Sequence, residues 1–381
     1  MKKQCISFVW FVLFFCFVAA GCAPKKSYPR FVWPPPPEDP KVEFVGNFAS
    51  EHDFALGIPD DKTLADVLLG KTVPLYSFKA PFGVASDGKG KVYVSDTVLR
   101  NIRCIDFARK HIYLLAEEGE LKAPTGIDID NSGRVYAADA DRAAVIVFEP
   151  SGNVAMKVSD EHIPMPVYVE VDEGLGRIYV SDQVTMQVAA YSLEGTYLFS
   201  FGEKGVGAGQ FAKPAGLAVD SEHRVFVVDS LNARIQVFSS DGELLYMFGE
   251  RGDMPHQFEH PADATFDTEG NLWITESRKS TLRAFSPSGD LLMTLGQEGG
   301  GGGIFSFAAP RGVFADVNDR IYVAEIIGKR ISLWQYMSDA YLEKNPYTQS
   351  DKEKLQAYIA EIQEKKRLAR EKQHAEREGQ R

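Results

Sequence analysis

Residues 209–249 read GQFAKPAGLAVDSEHRVFVVDSLNARIQVFSSDGELLYMFG. Inside this stretch the runs PAGLAV, RVFVV, RIQVF and ELLYMF alternate apolar side chains and are parted by polar turns. Alternation with period two makes strands whose successive side chains leave on opposite faces. A small sheet of this kind has two faces to bury and nothing inside itself to bury them against, so further copies are expected along the chain. Prolines opening an apolar run stand at Pro81, Pro124, Pro166, Pro214, Pro261 and Pro310, at intervals of 43, 42, 48, 47 and 49 residues. The second run of each unit closes on an acid: Asp96, Asp139, Asp182, Asp229, Glu276 and Glu325. Counted from these acids, the sixth place holds Ile102, Val145, Val188, Ile235, Leu282 and Ile331, and the ninth holds Ile105, Phe148, Tyr191, Phe238, Phe285 and Trp334. A fourth run, as in GTYLFSFG, GELLYMFG and GDLLMTLG, closes most units. Four short strands per unit, repeated six times, is the pattern of a β-propeller, whose blades bury their faces against one another.

The strings GQFAKPAGLAVD and RVFVVDSLNARIQVFSSDGELLYMFG resemble the NHL repeat, and the likeness runs from Pro81 to Met337. Two units depart from it, with Tyr168 in the third and Asp263 in the fifth where a glycine is usual. The last unit runs out after its third strand, and KVEFVGNF, residues 41–48, has the pattern of the missing fourth. The expected fold is therefore all-β: a six-bladed β-propeller of NHL/TolB-like type, closed by an N-terminal strand and followed by a charged α-helix. Closure of this kind removes open sheet edges.

Lys2 and Lys3 precede an apolar run from Cys5 to Ala20 that is short for a spanning helix and suits a signal-peptide core. The run ends in Ala19-Ala20-Gly21-Cys22, which resembles the lipobox of bacterial lipoproteins. That likeness implies removal of residues 1–21, lipidation of Cys22 and, with Ala23 next, residence at the outer membrane, facing the periplasm or the surface. Residues 22–40, rich in proline, read as a polyproline-type spacer from the lipid. The propeller is assigned to 41–337, with an insertion at 49–80, and the charged helical tail to 338–381. Within the insertion DKTLADVLLGK predicts a short amphipathic helix near the channel mouth, and in the tail Ser350 and Glu353 read as a capping box ahead of Leu355, Tyr358, Ile359 and Ile362.

The chain has 42 basic and 53 acidic residues, a net charge of −11, which argues against nucleic acid as a ligand. Its four cysteines form no Cys-x-x-Cys, and with Cys5, Cys16 and Cys22 assigned to the leader and its lipid, Cys104 is the one thiol left, at a column otherwise filled by small apolar residues. The glycine run 299–303 lacks the Lys-Ser/Thr of a phosphate loop.

In propellers of this family the loops before each opening proline and after each acid share one face, the top, where ligands bind beside the central channel. Candidate ligand residues flanking the prolines are Thr125, Tyr168, Glu170, Lys213, His260, Asp263 and Arg311; on the second set of loops Arg100, Arg142, Arg234 and Arg330 give an Arg-rich rim suited to carboxylates or acidic protein surfaces. The recurrent acids themselves read as structural, each accepting backbone amides of the turn that follows. The expectation is a lipid-anchored, non-catalytic binding or scaffold protein for another envelope protein, with no cofactor. The alternative is a metal-dependent hydrolase or lyase acting on a small molecule, with His260 and Asp263 as a partial metal site. No nucleophile motif such as Gly-x-Ser-x-Gly accompanies them.

Overall fold

The computed structural model describes residues 29–50, 53, 77–116, 119–296 and 305–378. The predicted helix at 61–71 and the glycine run lie outside these residues. Two compact units are present, one of residues Val32–Pro346 and one of Met1–Phe31 with Tyr347–Arg381.

The first unit is the propeller. Five blades are four-stranded antiparallel sheets in consecutive strand order, with innermost strands Pro81–Ser86, Pro124–Ile129, Pro166–Asp172, Pro214–Val219 and Pro261–Phe266. The sixth starts at Pro310–Ala315 and takes its fourth strand, Val42–Phe48, from the other end of the chain. Val42 faces Tyr336, Phe44 faces Trp334 and Phe48 faces Ile331, so the closure proposed from the pattern is the one formed. The stretch read as a spacer is in part drawn into this blade as well. A fifth strand, Phe31–Trp33, lies outside Val42–Phe48; Val32 is buried, and the Trp33 indole donates to the Thr294 carbonyl of the neighbouring blade at 3.0 Å. Proline-rich composition predicts extended backbone, and an edge strand is extended backbone that has found a neighbour.

Burial follows the radial order. The three inner strands of a blade are covered on both faces by its neighbours, so Val225–Asp229 and Arg234–Phe238 are buried at every position, whereas Leu244–Phe248 alternates between half-buried and exposed. Three residues before each acid every blade places a buried aromatic: Tyr93, Tyr136, Tyr179, Phe226, Trp273 and Tyr322. Cutting such a side chain to alanine costs about 3–5 kcal/mol in a packed core. Cys104 is a free, buried thiol.

Two ladders of carboxylates tie off the turns. On the bottom face an aspartate ends or follows each innermost strand, and Asp130, Asp220, Asp267 and Asp316 accept amides of the tight turn beyond, as with Arg134 N–H at 2.9 Å. The second oxygens of Asp130, Asp267 and Asp316 hold the blade aromatics, as where Trp273 Nε1 donates to Asp267 at 2.8 Å and Tyr322 Oη to Asp316 at 3.1 Å, while that of Asp220 takes the Arg224 guanidinium.

The second unit contributes one long helix, Gln349–Glu378. The cap lies two residues ahead of the expected box: Thr348 and Asp351 cap each other, with Thr348 N–H donating to the Asp351 carboxylate at 2.9 Å. Leu355 is buried and the Tyr358 ring meets Phe31 edge-on at 5.3 Å. Along the exposed part, pairs such as Lys365 with Glu361 and Arg367 with Glu364 are solvated and individually weak. Among the described residues no helix is long and apolar enough to cross a membrane.

Candidate functional site

The top face is set by the second ladder. Each acid at the end of a second strand sits opposite the opening proline, as Asp229 does with Pro214 and Asp96 with Pro81. Asp96 accepts the amides of Lys79 and Ala80, which arrive before its proline, and those of Val98 and Leu99, which leave after it. Asp139 does the same for Lys122, Ala123 and Arg142, and Asp182 for Met165, Val184 and Thr185. The structural role expected for these acids is present and wider than expected, because one carboxylate joins the incoming loop to the outgoing turn.

That ladder decides the fate of the rim arginines. Arg234 gives Nε to Asp229 at 3.1 Å and its remaining donors to the carbonyls of Val206, Gly207 and Gln210 at 3.0, 2.6 and 2.7 Å. Arg330 bonds Glu325 and the Ser306 carbonyl, each at 2.9 Å, and Arg142 reaches the Gly119 carbonyl beside Asp139. These three guanidinium groups brace the incoming loops of their own blades. Arg100 differs: it is exposed, in a left-handed turn position.

Toward the axis, the second residue after the opening proline is glycine in four blades, and the reason is the close approach of the next blade. A Cβ on Gly312 would lie 2.3 Å from the Phe82 carbonyl oxygen, and one on Gly216 would lie 2.4 Å from the Asp263 Cα. Tyr168 and Asp263 occupy this position in the other two. Tyr168 is buried, with its ring 5.5 Å from that of Phe82 across the hub, and its Oη has no hydrogen-bond partner. Burial, then the nearby Asp263 carboxyl, pushes that phenol far up, against the pull of the adjacent Arg311 guanidinium. Asp263 accepts the amides of Ala264 and of Val313 in the next blade, each at 2.9 Å, and burial raises it well above the usual carboxylate range.

Two further carboxyl groups line the hub. Glu170 accepts the amide of Val219 in blade 4 at 3.1 Å, and Asp128 accepts that of Val171 in blade 3 at 2.7 Å. Burial raises both, Asp128 to about 7, and each is pushed further by neighbouring acids. They are clamps between successive blades. Asp128 was not among the sequence candidates, although it is the polar member of an otherwise apolar core strand, PTGIDI. Thr125 is a clamp as well: its Oγ donates to the Ala138 carbonyl at 3.1 Å while its own carbonyl accepts from Ser95 of blade 1.

Lys213, His260 and Arg311 remain, one from each of blades 4, 5 and 6, all half-buried beside the mouth. His260 Nδ1 lies 3.1 Å from Ser230 Oγ, and Arg311 lies over the Phe82 ring, 4.8 Å from its centroid. The suggested metal pair is not assembled: His260 turns to Ser230, both Asp263 oxygens hold backbone amides, and no group of three or more His, Cys, Asp or Glu among the described residues is placed to hold a metal ion.

A feature the sequence reading passed over sits outside this ring. Two residues beyond the acids of blades 1, 3, 4 and 6 stand Val98, Val184, Leu231 and Ile327, which are 65, 60, 48 and 73 % exposed. Val206 and Met254, on the loops entering blades 4 and 5, are also exposed. The signal was a column of the repeat: a turn position that is aliphatic in four of the six units, with Asp141 and Arg278 in the other two.

The NHL repeat family matches residues 211–238, the first three strands of blade 4. No curated protein matches the chain in sequence. Among solved structures, virginiamycin B lyase from Staphylococcus aureus is similar at 16% identity and a TM-score of 0.52, over 68% of this chain and 95% of that one. A gluconolactonase from Xanthomonas campestris aligns at 15% identity and a TM-score of 0.54, over 68% of this chain and 86% of that one. A structural-genomics protein from Bacteroides thetaiotaomicron gives 17% and 0.57, over 68% and 70%. At such identities the likeness is one of fold. The chain carries an NHL repeat, and its fold is a six-bladed β-propeller.

Proposed function

We propose that this protein is a lipid-anchored component of the bacterial cell envelope, held at the outer membrane through Cys22, that binds another envelope protein with the top face of its propeller and catalyses no reaction. The observation that carries the reading is the set of exposed aliphatic side chains, Val98, Val184, Leu231 and Ile327, repeated at one turn position around the mouth. Exposed aliphatic groups occur elsewhere on the propeller as well, as at Val317 and Leu175, and what supports an interaction surface here is their recurrence at equivalent turns of one face. Asp96 and Asp182 pin the turns that bear Val98 and Val184, and Arg234 and Arg330 brace the incoming loops of the blades that bear Leu231 and Ile327, which supports a surface ordered before it meets a partner. The carboxyl groups nearest the axis are engaged with backbone amides of adjacent blades, a role in holding the ring together.

The test is photo-crosslinking in cells from Val184 and Leu231, with Leu198 and Leu245 on outermost strands as controls. One defined envelope protein captured from the top positions alone, and lost in Val184→Asp with Leu231→Asp at unchanged melting temperature, is the expected result. Equal capture from all four positions, or attachment to saccharide only, refutes the protein partner. Acylation of Cys22, read by mass spectrometry of the N-terminal peptide, checks the anchor separately.

A further inference from the structure

Lys213 and His260 immediately precede the opening prolines of blades 4 and 5, and Arg311 immediately follows that of blade 6. Three successive blades thus bring three nitrogen-bearing side chains to the starts of their innermost strands. They lie close enough to act on one another. Loss of water, then the charge of Arg311, lowers the Lys213 ammonium; loss of water, then Arg311 and Lys213, lowers the His260 imidazole.

Crowded cations in a partly dry site are normally relieved by a paired carboxylate, and here the nearby acids act without pairing, Glu276 on His260 and Asp263 with Arg311. No ion pair to Lys213, His260 or Arg311 forms among the described residues. Glu276, below His260, spends its oxygens on the backbone amides of Glu259 and His260 at 2.9 and 2.7 Å. Asp263 faces Arg311, but its oxygens hold Ala264 and Val313, and its burial favours the neutral form. Arg311 and the Tyr168 phenol act on each other, yet Arg311 Nε and Tyr168 Oη each make no well-formed hydrogen bond, and Tyr168 is 3% exposed. Phe82 stands between them, 4.8 Å from the guanidinium and 5.5 Å from the phenol ring.

We propose that Lys213, His260, Arg311 and Tyr168 form a receptor for the carboxylate of a ligand entering the channel mouth. A guanidinium fork pairs with a carboxylate through two parallel N–H bonds, the ammonium supplies a point charge, and the phenol adds a neutral donor. The aromatic wall of Phe82 and Tyr168 suits an organic acid, whose carbon skeleton it covers, better than a fully hydrated inorganic anion. Two sources share this chemistry, a small organic acid and the carboxylate of a protein chain. The site does not rest on the docking proposed for the rim, which can fail while carboxylate binding persists.

The experiment titrates the full chain with benzoate, with succinate and with a short peptide ending in a free carboxylate, each against its amide, and follows the His260 ring resonances by NMR. Saturable binding of the acids and not of the amides is expected, weakened by about tenfold or more in Lys213→Met with Arg311→Gln. Preference for benzoate or succinate identifies a free small acid; preference for the peptide identifies a protein carboxylate. Tyr168→Phe keeps the ring and removes the hydroxyl, so a smaller loss there assigns the phenol donor. Equal response to acid and amide, no saturation by any acid, or undiminished binding by the double variant overturns the proposal.

Discussion

Arg234 and Arg311 come from blades two apart and face the same end of the propeller, yet they are different objects. Arg234 bonds one buried carboxylate and three carbonyls of its own blade. Arg311 lies against an aromatic ring, with a buried Nε that bonds nothing. The difference teaches that an arginine column at a propeller rim is not evidence of a ligand; what counts is whether the fold has already used the guanidinium. By that criterion Arg234 and Arg330 belong to the scaffold, and Arg311 at the hub is the guanidinium for which a ligand is proposed.

The contrast breaks most visibly at Asp229. Its oxygens take the amides of Ala212 and Lys213, the Asn232 side chain at 2.7 Å and Arg234, and the carboxylate is fully buried. Asp229→Ala leaves a buried guanidinium without its counter-charge, a defect that costs about 3–5 kcal/mol. A urea midpoint shift of that size, with Arg234→Ala following in the same direction, is the expected outcome. A loss under about 1 kcal/mol would mean that the ladder is decorative, as most single substitutions away from such features are.

The ladder, the blade count and the borrowed strand were legible because each repeats at a fixed offset, and a sheet with two apolar faces has few ways to be buried. Pro214, Asp229, Ile235 and Phe238 announce one blade, and five echoes announce the ring. What stayed hidden depends on neighbours that the linear pattern does not reveal. Nothing local to Arg234 or Arg330 shows that loop carbonyls 24 or more residues away will meet their donors. Nothing local to Tyr168 shows that it will cross the hub to Phe82. Val32 and Trp33 were masked by the prolines that follow them, although both side chains are of the kind an edge strand favours.

The hub carboxyl groups sharpen the comparison through pH. Asp128 is raised to about 7, first by burial, against an unfolded value of about 3.9. An acid whose folded value is raised binds its proton more tightly in the native state. Its contribution to stability is therefore largest in acid, falls as pH rises from about 4 to about 7, and is level above that. Asp128→Asn keeps an oxygen for the Val171 amide and removes the titration. Urea midpoints of the two proteins at about pH 5 and about pH 8 are expected to converge in acid and diverge in base, with the variant the more stable. Curves that stay parallel would show that the carboxyl is solvated.

The smallest effect is expected at the mouth, and its smallness is the point. Lys213→Met with Arg311→Gln removes two charges that repel one another and that form no ion pair among the described residues; what goes with them is the contact of Arg311 with the Phe82 ring and the Tyr168 phenol, set against the relief of that repulsion. Stability should change by no more than about 0.5 kcal/mol, in the stabilising direction if at all. Proteins commonly sacrifice stability where a site must stay open to a partner, and a gain on removal is the mark of such a site. The same urea unfolding curves that register the loss in Asp229→Ala decide the matter. Should the double variant fall as far as Asp229→Ala does, Arg311 is a brace like Arg234, and the line drawn between rim and hub disappears.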